Sequence, residues 1–325
     1  MARADILVSM VQSAINSDMV SFRKSTEALI ADEREKKHHI LADKLAKTIQ
    51  NGAFVNSLTK NVRINEDSKD LFFEIIPQKK FDDLVLDEKI FTVCKQLVEE
   101  QHRAEVLRSY GIEPRHRILL AGMPGNGKTS LAEAVAYELM YPLYVIRYEN
   151  LIGSYLGETA NRLQKVFDYV KTQRCVLFFD EFDTIGKERG DTKETGEIKR
   201  VVSSLLMQMD RLPSYVVVIT ASNHPELLDR AVWRRFQLKL ELNKPTKQQI
   251  VILIEKLFSK SGIKLTYNIN TLSEKLVGLS FAEIEEFYLD IIRQAVLQHK
   301  QDNVKSIVDE TLKNWQNKFK IEKTV

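Results

Sequence analysis

The sequence predicts an α/β chain: an open parallel sheet covered on both faces, a helical segment after it and another helical segment before it. Three observations carry this. Between Phe81 and Asn243, short apolar runs alternate with stretches of helical period, the pattern of parallel strands joined by crossover helices. One of those runs passes into a helix through a glycine-rich loop. From Lys244 onward only helical patterning remains.

Taken in order, residues 1 to about 50 read as helical. Ile6, Leu7, Met10, Val11, Ala14 and Ile15 recur at spacings of three and four. Further patterns run through Met19, Phe22, Leu29 and Ile30, and through Ile40, Leu41, Leu45 and Ile49. Apolar stripes of this kind need partners, so this module is a candidate for docking a partner or substrate. Asn51-Gly52 is a turn signal. Residues 51–80 mix charge, single apolar residues and Pro77, and read as a linker with one candidate strand. Residues 81–243 form the α/β domain, with strands predicted near 118–121, 143–147, 175–180, 216–222 and 237–242. Residues 244–325 form the helical end. Thr246 is placed to cap a helix that starts at Lys247, and a further helix runs from about Phe281 to His299.

The net charge of only +3 gives no argument for nucleic acid or an anionic membrane as partner. Cys94 and Cys175, the two cysteines, have no metal-binding spacing and read as free thiols of a reducing compartment. Asp5 and the broken apolar runs around it argue against a signal peptide. No run approaches the ~18 apolar residues of a membrane span. Cytoplasm is the expected location.

The chemistry starts at Gly122-Met123-Pro124-Gly125-Asn126-Gly127-Lys128-Thr129. This run fits G-x-x-x-x-G-K-[ST], the phosphate-binding P-loop. Arg117-Ile118-Leu119-Leu120-Ala121 before it reads as a strand, and Ser130 onward as a helix. Strand, glycine loop and helix together aim unpaired backbone N–H groups and a positive helix end at phosphate oxygens. Gly122 to Ser130 are therefore the candidate nucleotide contacts. Lys128 would reach the β- and γ-phosphates, and the Thr129 hydroxyl would hold Mg²⁺. Val176-Leu177-Phe178-Phe179 runs straight into Asp180-Glu181-Phe182-Asp183. Ligands sit at the carboxyl ends of parallel strands, so these acids fall beside the P-loop. Asp180 is the candidate to hold magnesium through water, and Glu181 to polarise the attacking water. A further strand ends in Asn223, which would point toward the γ-phosphate or that water.

With Lys128, Asp180 and Asn223 in this order, the chain resembles the AAA+ ATPases. More narrowly, it is similar to the AAA clade that contains katanin, spastin and the membrane AAA proteases. The resemblance covers roughly residues 81–300. It implies a RecA-like sheet of strand order 5-1-4-3-2, ATP hydrolysis with Mg²⁺, and a homo-oligomeric ring, six subunits being the implied number. Leu227 to Phe236 resembles the stretch that presents arginine fingers to the next subunit. Where the family spaces two arginines, Arg234 and Arg235 are adjacent here, and either is a candidate finger. Leu151-Ile152-Gly153-Ser154-Tyr155-Leu156-Gly157-Glu158 resembles the first pore loop, with Tyr155 and Leu156 as the substrate grip. The charged segment Lys187 to Glu197 falls where a second pore loop would lie. Gly278-Leu279-Ser280-Phe281-Ala282-Glu283-Ile284 resembles the clade's lid motif, with Ala282 where other branches carry a sensor arginine. Gly111-Ile112 is a candidate to pack near the adenine. No H-E-x-x-H occurs, so a zinc-protease domain is absent from this sequence.

The function these readings imply is ATP hydrolysis that drives a ring to remodel or thread a protein substrate. The alternative is an ATP-controlled assembly switch that recruits a separately encoded effector, a protease or nuclease, such as one in a bacterial defence system.

Overall fold

The computed structural model describes residues 71–147, 156–183, 195–263, 265–298 and 303–322, with Leu29. The remainder of the predicted N-terminal helices, Tyr155, and residues 187–194 of the charged segment lie outside the described residues. The chain divides into two units, 1–64 and 65–325, and the fold below is that of the second.

Its strands are β1 (Phe72–Ile75), β2 (Arg117–Ala121), β3 (Leu143–Ile146), β4 (Cys175–Phe179), β5 (Val216–Ser222) and β6 (Leu238–Glu241). They form one sheet in the order β1-β3-β4-β5-β2-β6. From β2 to β6 all neighbours are parallel. Numbered along the chain by themselves, these five strands stand in the order 5-1-4-3-2 that the resemblance implies. Every residue of β4 and β5 is buried, which is why β4 and the first four residues of β5 read as apolar runs. At the sheet's edge, the candidate strand of the 51–80 stretch is Phe72–Ile75, and it runs antiparallel to β3, where the sequence predicts a parallel sheet. The sheet is therefore mixed at that edge. Phe72 explains the attachment: its ring packs against Tyr144 and Tyr169 at centroid distances of 5.0 and 5.1 Å.

Side chains alternate across each strand and feed two cores. Ile118 and Leu120 of β2 face one side, packed with Leu97 of α1 (Glu88–His102) and Leu131 and Val135 of α3 (Lys128–Leu139). The short α2 (Ala104–Ser109) lies between those two helices in sequence. Leu119 faces the other side, with Leu163 and Phe167 of α4 (Leu156–Val170) and Leu205 and Met209 of α5 (Thr195–Asp210). Cys94 and Cys175 belong to these cores, and burial pushes both thiols up to about 12.

After β6 come α7 (Lys247–Ser261), α8 (Ile269–Leu276), α9 (Phe281–Leu297) and α10 (Lys305–Glu322), which close a separate core around Ile250, Leu272, Ile284, Phe287 and Trp315. Thr246 caps α7 as its sequence predicts. Its hydroxyl accepts from Gln249 N at 3.3 Å, and Gln249 Oε1 accepts from Thr246 N at 2.9 Å. Ser280 and Glu283 form the same reciprocal cap on α9. Each such cap contributes roughly 1 kcal/mol. Lys256 fastens this lid to the sheet domain, donating to Asp82 O at 2.8 Å and Leu84 O at 2.9 Å. Among the described residues, no helix is long and apolar enough to cross a membrane.

A candidate nucleotide site at the strand tips

The carboxyl ends of β2, β4 and β5 converge because the three strands are neighbours in parallel. The P-loop leaves β2 through Gly122, whose φ is +147°. A Cβ there would stand 2.3 Å from Leu242 O, so the chain just after β6 passes too close for any side chain. At Gly125, with φ +77°, a Cβ would stand 2.8 Å from Ser280 Oγ. That is where the lid touches the loop: Ala282 N donates to Gly125 O at 3.0 Å.

Lys128 is 6% exposed. Its ammonium donates to Gly122 O at 2.6 Å, Met123 O at 3.1 Å and Asn223 Oδ1 at 2.7 Å. Burial lowers its pKa from the ordinary lysine value, and the charges of Asp180, Asp183 and Glu181 act against that. The Thr129 hydroxyl donates to Asp180 Oδ2 at 3.0 Å. Glu181 has φ +48°, a left-handed conformation that costs a non-glycine residue roughly 1–2 kcal/mol. Two bonds hold it there. Its N–H donates to Asp180 Oδ1 at 2.9 Å, and the next N–H, of Phe182, donates to Ala221 O at 2.8 Å.

Pro124, Gly125, Gly127, Lys128, Thr129, Ser130, Asp180, Glu181 and Asn223 line one cavity of about 310 Å³. Phe281, Ala282 and Glu285 of the lid close it. Gly122 and Met123 act from outside it, through the carbonyls that hold Lys128. Asn126 faces elsewhere. It is 3% exposed, donates Nδ2 to Leu242 O at 3.1 Å, and lines a neighbouring cavity of about 350 Å³ with Val85, Leu86, Ile90, Leu242 and Phe281. Phe281 borders both cavities. Gly111 and Ile112, candidates for the adenine, line neither, and the Ile112 side chain is exposed.

Arg234 and Arg235 follow the short α6 (Arg230–Trp233) and are absent from the phosphate cavity. They differ from each other. Arg235 Nε donates to Asp210 Oδ2 at 2.8 Å, and Asp210 Oδ1 accepts from Arg117 at 2.6 Å. Arg234 is exposed, with no side-chain hydrogen bond or ion pair among the described residues. Leu156 is the first residue of α4. Sequence reasoning gave no role to Asp183. It is 3% exposed and accepts from Ser222 Oγ and Asn223 N, both at 3.0 Å. The signal present was a third acid three residues after Asp180, too common by itself to single out.

A family model described as "ATPase family associated with various cellular activities (AAA)" matches residues 118–244. Among curated proteins, the chain is similar to one of Sinorhizobium fredii named uncharacterized AAA family ATPase y4kL. The two are 34% identical over 306 residues, 93% of this chain and 92% of that one. It is 28% identical over 290 residues to a putative 26S proteasome regulatory subunit homolog of Methanothermobacter thermautotrophicus, covering 88% of this chain and 76% of the other. It is 32% identical over 186 residues to the ATP-dependent zinc metalloprotease FtsH 3 of Sphaerobacter thermophilus, covering 56% of this chain and 38% of the other. A P-loop whose lysine, hydroxyl and acids converge on one lid-covered cavity agrees with these likenesses, and the chain belongs to the AAA family of ATPases.

Proposed function

We propose that this ATPase works as a homo-oligomeric ring, of six subunits, that remodels or threads a protein substrate in the cytoplasm. One observation carries the ring. Among the described residues no arginine lines the phosphate cavity, while Arg234 stands exposed on the segment after β5. Phosphoryl transfer to water gains from a cation that spreads along the developing phosphate charge. In this reading a neighbouring subunit's Arg234 supplies it, and the planar guanidinium suits a phosphate. Arg235, committed to Asp210 in its own subunit, shapes the turn that presents Arg234.

The geometry supports a role for each residue within one site. Lys128 exchanges carbonyl and amide acceptors for the β- and γ-phosphates. Glu181, at the rim of the cavity, polarises the attacking water, and Asn223 holds that water or the γ-phosphate. Thr129 and Asp180 offer a hydroxyl and a carboxylate 3.0 Å apart, hard oxygen donors that suit Mg²⁺. Bound there, the ion would neutralise phosphate charge. In the neighbouring cavity Val85, Leu86, Ile90 and Leu242 stand among polar side chains, and this mixed lining, with Phe281 between the two cavities, suits the adenine.

Arg234→Ala is expected to cut hydrolysis by about 10³-fold or more, the range for arginine fingers, with ATP affinity nearly unchanged. Arg235→Ala should have a smaller effect on turnover. Mixing Arg234→Ala with Lys128→Ala subunits should restore activity, since an intact finger then faces an intact P-loop at some interfaces. Mixed rings that form and stay inactive at every ratio would place the arginine's action within one subunit.

Threading has its own test. Tyr155→Ala should leave basal ATPase within about a few-fold of wild type and abolish client remodelling, because the aromatic body that grips an extended chain is gone. Unchanged stability with unchanged client processing would instead favour the assembly switch.

A further inference from the structure

We propose that Asp183 is a positioning residue for hydrolysis: its buried carboxylate holds the backbone of Asn223 at the edge of the phosphate cavity. It also ties the turn that carries Glu181 to the segment that carries Arg234. The inference rests on the role given above to Asn223.

The register between β4 and β5 ends at Phe179 and Thr220. Beyond that point the two chains would be free to splay, yet both carry site residues there. They are laced together instead. Phe182 N donates to Ala221 O at 2.8 Å. One residue further, Asp183 Oδ1 accepts from both Ser222 Oγ and Asn223 N at 3.0 Å. Ser222 Oγ in turn accepts from His224 N at 3.2 Å. The single carboxylate thus organises three consecutive residues at the tip of β5.

Which part of Asn223 it holds matters. Asp183 grips the main-chain N–H, so the side-chain amide keeps its freedom. That amide now accepts from Lys128 Nζ at 2.7 Å. When Lys128 turns to a polyphosphate, the amide is left beside the γ-phosphate position on a fixed backbone. Catalytic groups act best when others hold them in place.

The choice of a carboxylate also needs a reason. An ionised group that is 3% exposed is costly unless hydrogen-bonded, and an amide oxygen in its place would hold the two donors less firmly. A carboxylate accepts both donors strongly, and it places a fixed negative charge near the Lys128 ammonium. Asp183 is not among the residues that line the phosphate cavity, so it acts through Asn223 and not on the nucleotide.

The test is a double-mutant cycle on the full chain, with Asp183→Asn, Asn223→Ala and the pair. ATP turnover gives kcat and KM, and calorimetry gives ADP affinity. Asp183→Asn is expected to lower kcat about tenfold or more with KM and ADP affinity within about threefold, since only transition-state positioning is lost. The double variant should be no slower than Asn223→Ala alone, because residues acting as one unit are not additive. A purely structural Asp183 would lower the melting temperature and leave kcat of the folded protein unmoved. That result, or additive losses, would overturn the proposal. An Asn223→Ala variant that hydrolyses normally would overturn both this inference and the role of Asn223 itself. If Asp183→Asn does not fold, Ser222→Ala removes one of the two donors. A drop in kcat that vanishes in the Asn223→Ala background would support the proposal, and an unchanged kcat would overturn it.

Discussion

Lys128→Ala is expected to abolish ATP binding. In the present geometry the ammonium is enclosed by Gly122 O, Met123 O and Asn223 Oδ1 at 2.6 to 3.1 Å. Asp180, Asp183 and Glu181 act on it through their charges. Its removal leaves carboxylates and carbonyl oxygens facing a polyphosphate with no cation on the loop between them. Repulsion then replaces attraction in a site partly closed from water, where charges interact more strongly. The loss should therefore far exceed that of one hydrogen bond. Calorimetry with ATP and with ADP checks it, beside a melting curve to show that the fold survives. Near-normal affinity in a folded variant would count decisively against the P-loop assignment.

Glu181→Gln is expected to retain nucleotide and to lose hydrolysis. The side chain keeps its size, and the left-handed backbone at φ +48° is held by bonds of Asp180 and Phe182 that the substitution leaves alone. Only the charge goes, and with it the ability to polarise water. General-base removal costs about 10²–10⁴ in rate. Thr129 and Asp180 remain paired, so ATP affinity should stay within a few-fold. Uncleaved ATP also stabilises whatever assembly binds it, by mass action. In pull-downs with ATP this variant should retain client or effector that the wild type releases. Hydrolysis at the wild-type rate would show that the roles of Asp180 and Glu181 have been divided wrongly.

Much of the fold is legible in residue order. The five parallel strands lie within about two residues of their predicted ends, because β3 and β4, buried throughout, admit apolar side chains, and β6 alternates buried Leu238 and Leu240 with exposed Lys239 and Glu241. Thr246 and the glycines of the P-loop announce themselves for the same kind of reason: a cap or a close backbone approach permits few residue types. β1 was harder to read. Phe-Phe-Glu-Ile is short and lacks a clear period, and its identity as a strand comes from pairing with Leu143–Ile146 far along the chain. The two neighbouring arginines could not be told apart by sequence, since they are chemically identical. Asp210, at the end of α5, separates them by taking Arg235.

The sequence by itself determined the family, and it marked the candidate nucleotide-binding loop, the acids at the tip of β4 and the order of the candidate site residues. These are local matters, set by which side chains a turn, a buried strand or a phosphate will accept. Only the tertiary structure decided which groups meet. Asn223 comes to Lys128 from 95 residues away, and the lid's Ala282 reaches Gly125. Asp183 becomes a buried crossbar because β4 and β5 are neighbours in the sheet. Such contacts depend on strand order and crossover packing, which bring together residues whose separation along the chain carries no trace of the meeting.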